Sequence, residues 1–82
     1  MISQESRELM RRAEAVYKER LKDKLETTHL NYFVAIEPDS GDYFLGQTLS
    51  EAAAAARKVY PDRRAGVVRV GHRTALHLGA GY

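Results

Sequence analysis

The period of the hydrophobic pattern changes three times along this chain, and each change marks an element. In the first 26 residues Leu9, Ala13, Val16, Tyr17, Leu21 and Leu25 recur at helical spacing, one apolar stripe on an otherwise charged cylinder. Ser3 is a suitable N-cap, so the spacing predicts a helix from there to about Glu26. Glu8 with Arg12 and Glu14 with Lys18 stand four apart in the favourable order. The β-branched pair Thr27-Thr28 weakens the helix where the charged pattern stops.

From Leu30 the period becomes two. Tyr32, Val34 and Ile36 point one way; Phe33, Ala35 and Glu37 point the other. Both sets are largely apolar, which suits a strand covered on both sides or lying inside a sheet. Pro38-Asp39-Ser40-Gly41 then reads as a hairpin turn: Pro presets the first central position, Asp follows, and Gly supplies a left-handed residue. Asp42 to Leu45 returns as the second strand, ended by Gly46.

The helical period resumes in GQTLSEAAAAARKV, Gly46 to Val59. Thr48 and Glu51 form a capping box, in which the Thr48 hydroxyl accepts from the Glu51 amide and the Glu51 carboxylate reaches back to the Thr48 amide. Five alanines follow, the strongest helix formers. Leu49, Ala52, Ala53, Ala56, Val59 and Tyr60 make the expected buried stripe, and Pro61 stops the helix at Val59 or Tyr60. After the loop Asp62-Arg63-Arg64, residues 66–70 and 73–78 read as two strands, joined by a two-residue turn with Gly71 first. Residues 79–82 read as a loose tail.

The order is therefore α-β-β-α-β-β. The economical architecture is a two-layer α+β domain, a four-stranded, mostly antiparallel sheet with helices packed on one face. Eighty-two residues make a single domain: a charged N-terminal helix in 1–28, a ββαββ core in 30–78 and the tail. So short a chain has a modest core, and small domains often gain stability by self-association.

The net charge of +2 hides an uneven distribution. Residues 1–26 carry seven Lys/Arg against six Asp/Glu, residues 27–56 none against four, and residues 57–82 six against one. An acidic middle thus precedes a basic last third. There is no cysteine, hence no disulfide framework and no thiolate zinc site. No apolar run approaches the roughly 20 residues that span a bilayer, and the first residues lack the apolar core of a secretory signal. A cytoplasmic location with no membrane contact is the expectation.

Candidate chemistry is sparse. His29, His72 and His77 share no metal-ligand spacing, although a last hairpin would bring His72 towards His77. Glu37, Asp39, Asp42 and Glu51 could supply a carboxylate pair for acid–base work. Asp39 and Asp42 are also natural turn formers, and Glu51 belongs to its cap. No nucleophile elbow, phosphate-cradling loop or dinucleotide fingerprint is present. The expectation is a protein that is not an enzyme and uses no metal or cofactor. Arg57, Lys58, Arg63, Arg64, Arg69 and Arg73 could form one basic face for nucleic acid. Only Tyr60 lies among them to stack on bases, and Arg57 and Lys58 already complement the dipole of the alanine helix.

FVAIEPDSGDYF followed by GQTLSEAAAAAR resembles the core of HicB-type antitoxins, over about residues 32–58. The matching positions are Pro38-Asp39-Ser40-Gly41 in the hairpin, then Gly46, Thr48, Glu51 and Ala52 at the helix start. That resemblance implies a partial RNase H fold without its catalytic acids, and a role through protein contact. Two features depart from it. Leu45 runs almost straight into the cap, where that family has a further strand and loop, and the chain continues into a second hairpin instead of a DNA-binding segment. The whole chain also looks similar to small bacterial domains of unknown function with the same element order. The reading is a small, non-catalytic protein-interaction module, antitoxin-like or regulatory, with a protein partner or a second copy of itself. It would act through Leu9, Val16, Tyr17 and Leu21 of the N-terminal helix; nucleic-acid binding through the basic face of 57–73 is the alternative.

Overall fold

β1 (Phe33–Glu37) is the strand the rest of the structure covers. It pairs antiparallel with β2 (Asp42–Gly46) on one side and with β3 (Gly66–Arg69) on the other. The structure is a computed structural model that describes residues 4–72 and 75–76. Ala75–Leu76 pairs antiparallel with β3, opposite Val68 and Val67. The rest of the expected last strand, with Arg73, His77 and residues 79–82, lies outside the described residues.

The helices do not share a face, so the expected two-layer arrangement does not hold. Val34 and Ile36 join Val68 and Val70 beneath the N-terminal helical segment, through Met10, Ala13, Tyr17, Leu21 and Leu25. Ala35 and Val67 point to the opposite side and pack on Ala52 and Ala56 of the alanine helix. The reason lies in β1. A strand apolar on both faces needs cover on both, and a single helical layer would leave one face in water.

The N-terminal segment is not one uniform helix. α1 (Gln4–Val16) passes into a π-helical turn, Tyr17–Leu21, and then α2 (Lys22–Thr28). The amide of Lys22 donates to the carbonyl of Tyr17, five residues back. Buried Ala13, Tyr17, Leu21 and Leu25 recur every four residues. In an α-helix each such step overshoots a full turn by about 40°. The wider turn takes up part of that drift and keeps the inward residues in line. Met10, not Leu9, leads the buried stripe.

α2 runs past Glu26 to Thr28, where the Thr27 and Thr28 hydroxyls donate to the carbonyls of Asp23 and Lys24, 2.9 Å each. The chain then reverses through Asn31, left-handed at φ 73°. α3 (Leu49–Val59) begins at the expected Thr48 cap, whose hydroxyl accepts from the Glu51 amide at 3.1 Å. The reciprocal bond differs from expectation, because the Glu51 carboxylate accepts from Gln47, not Thr48. Val59 also differs, being 56% exposed. α3 lies over β2 and β1, whereas α1 lies over β3. The turn after β3 is closed by the His72 amide on the Arg69 carbonyl, 3.1 Å, so Gly71 stands third in it and not second.

Candidate functional site

The hairpin between β1 and β2 holds two ion pairs, Arg12–Asp39 and Arg63–Glu37. Glu37 ends β1 with its side chain on the α3 face, 1% exposed. Residues 38–41 turn back over it, closed by the Gly41 amide on the Glu37 carbonyl at 2.8 Å. Gly41 is left-handed at φ 81°, as the turn requires. This geometry aims two amides at the Glu37 carboxylate: Asp39 N donates to Oε2 at 3.0 Å and Ser40 N to Oε1 at 2.9 Å. Arg63, from the loop after α3, donates to the same Oε1 at 3.0 Å and lies over the Tyr60 ring. Arg12 of α1 pairs with Asp39, so both helical layers are tied to one hairpin tip. The Tyr60 hydroxyl donates to Asp42.

Burial is the largest single influence on the Glu37 pKa and pushes it up. The hydrogen bonds from Ser40, Asp39 and Arg63 together outweigh burial and hold the carboxyl below its ordinary value. Both guanidiniums are raised by their hydrogen bonds to acids, Arg63 by Glu37 and Arg12 by Asp39. Glu37 is therefore a fixed anion with its acceptor sites engaged. Each of the four acids the sequence offers for acid–base work has a partner: Glu37 and Asp39 those above, Asp42 the Tyr60 hydroxyl, and Glu51 the Gln47 amide. Among the described residues no cluster of three His, Cys, Asp or Glu could hold a metal ion. His72 bonds Asn31 Oδ1 at 2.9 Å.

The expected basic face divides. Arg57, Arg63 and Arg64 converge on a groove of about 180 Å³, floored by Ala53, Ala56, Ala65 and Val67, with Asp62 also on its wall. Lys58 is exposed on α3 outside this groove. Arg69 sits over the Phe33 ring, 5.2 Å from its centroid. Arg73 lies outside the described residues.

The helix contacts predicted from the stripe divide as well. Tyr17 and Leu21 are buried in the chain's own core, so they cannot meet a partner while the fold holds. The Tyr17 hydroxyl, pushed up chiefly by burial, bonds Glu26 and accepts from the Gly71 amide. Leu9 and Val16 are half-buried. Val16 packs against the same core.

What the sequence reading missed is the outer side of β2. β2 pairs with β1 through five consecutive one-to-one partners, with no bulge. Among the described residues nothing pairs with its other side. Tyr43, Phe44 and Leu45 are each only half-buried. The available signal was the apolar run Tyr43-Phe44-Leu45, in a strand with no lysine or proline. No protein-family model, curated protein or solved structure matches the chain.

Proposed function

We propose that the chain is a small, non-catalytic protein-binding module whose contact surface is the outer edge of β2, where Tyr43, Phe44 and Leu45 are half-covered, and not the N-terminal helix. The carrying observation is that edge: five regular residues, apolar at Tyr43, Phe44 and Leu45, with one strand side unpaired among the described residues. Such an edge offers backbone donors and acceptors for strand addition, and flanking side chains for selectivity. The partnered state of the four acids supports a role without acid–base chemistry. The resemblance of residues 32–58 to HicB-type antitoxin cores makes a regulatory partner the first class to test.

The test compares the native chain with Leu45→Lys in extract of the source cells, by size separation and detection of the chain. The reading expects the native chain in a species heavier than the 9.3 kDa monomer, and the variant shifted towards monomer. A native chain running as monomer in that extract overturns it. A second reading, nucleic-acid binding, is supported by the convergence of Arg57, Arg63 and Arg64 on one groove.

A further inference from the structure

We propose that this surface takes a second copy of the chain, joined across β2 by a two-fold axis perpendicular to the sheet; the inference rests on the protein-binding reading above. Three independent features of the fold meet at that axis.

The first is the strand itself. An antiparallel β2–β2 pair centred on Phe44 sets Tyr43 opposite Leu45 of the second copy, twice, and Phe44 opposite its own mate. Asp42 faces Gly46, so no like charges oppose each other. Centring the pair on Tyr43 would instead set Asp42 against Phe44.

The second is the position of α3. A Cβ on Gly46 would meet Glu51 and the Ala52 amide, so the start of α3 abuts the end of β2. At the other end, the Tyr60 ring packs edge-on to Phe44, 6.2 Å between centroids, and its hydroxyl reaches Asp42. α3 therefore runs antiparallel to β2, with Ala55, the residue after its midpoint, near the centre of the strand. An axis through Phe44 also passes near the midpoint of α3. Because α3 lies over β2 and β1, it and its mate would stand about two strand spacings apart, roughly 10 Å. That matches the distance at which helices with small contact residues pack.

The third is the helix face turned to that gap. Ala53 and Arg57 line the groove near β3, whereas Glu51 abuts β2. The stripe Glu51, Ala55, Val59, spaced by four, thus faces outward past β2. Val59, the exposed apolar residue that the α3 pattern did not anticipate, lies on it at 56% exposure. In the antiparallel helix pair Ala55 meets its mate and Val59 is covered. Lys58 comes to Glu51 of the second copy, opposite in charge, at both ends. The result is one continuous sheet, β3-β1-β2 and its mirror order, with two alanine helices side by side.

Sedimentation of the purified chain should give twice the monomer mass, and Val59→Glu should weaken self-association roughly tenfold or more, with an unchanged circular-dichroism spectrum. The chain has no cysteine, so single cysteines report geometry directly. Ala55→Cys should form a disulfide-linked dimer on mild oxidation, and Ala54→Cys, on the exposed back of α3, should not. If Val59→Glu fails to fold, this cysteine pair decides alone. A purified native chain that is monomeric up to its solubility limit, or equal cross-linking at 54 and 55, overturns the proposal. A purified monomer found in a heavier species in extract would overturn the second copy and leave the binding module standing.

Discussion

Glu37 shows how much one residue can organise. Its two carboxylate oxygens accept from the Asp39 and Ser40 amides and from Arg63, and Arg12 reaches the same turn through Asp39. Glutamine has the same shape but only one acceptor oxygen, so its amide group would face a donor. Glu37→Gln should therefore cost about 1–3 kcal/mol of stability by chemical denaturation, as expected when a buried donor loses its acceptor. The pH dependence follows from the same contacts. The Glu37 pKa is lowered on folding, so its contribution is complete above the unfolded value, about 4.3. It is lost as the pH falls through the lower, folded value. Native stability should drop below about pH 4, and Glu37→Gln should flatten that acid limb; an equally steep limb in the variant would remove Glu37 as its source. The turn was legible in Pro38-Asp39-Ser40-Gly41. The role of Glu37 was not, because its partner Arg63 stands 26 residues away and no local pattern links them.

At the scale of elements, the packing of both layers relies on places where a side chain is missing. A Cβ on Gly66 would sit 2.7 Å from the Ala13 Cβ and 3.0 Å from the Met10 sulfur, so α1 crosses β3 at that point. A Cβ on Gly46 would sit 2.4 Å from the Ala52 nitrogen, which is backbone and cannot turn aside. Gly66→Ala should cost about 1–3 kcal/mol, the usual range for overpacking, and Gly46→Ala should cost more. Denaturation midpoints of the two variants check the order, and Ala13→Gly should recover part of the Gly66→Ala loss but none of the Gly46→Ala loss. Element types and most boundaries were readable because period, cap and turn residues agree. The π-helical turn was not read, although the four-residue recurrence Ala13, Tyr17, Leu21, Leu25 carries its trace. Whether such a drift is absorbed by bending, spreading the stripe or widening a turn depends on the surface beneath, which local sequence does not specify.

At the scale of the whole molecule, the alternation in β1 already contained the two-sided cover, but the choice of helix for each face is a matter of connection and not of composition. The same limit applies to charge. Six cations fall within residues 57–73, yet the fold distributes them: three at the groove, Lys58 outside it, Arg69 over Phe33, and Arg73 outside the described residues. Glu37 pairs with Arg63, and Asp62 lines the same wall, so acids stand beside the groove's arginines. Nucleic-acid binding through six phosphate contacts would give a plot of log affinity against log salt with a slope near −5, whereas a single phosphate contact gives about −1. Titration of a labelled duplex and a labelled single strand across a salt series separates these cases. The expected outcome is weak binding with a shallow slope, unaffected by Val59→Glu. A slope near −5 would mean that the basic residues act together on a backbone after all, and would make nucleic acid, in place of a protein strand, the partner of this chain.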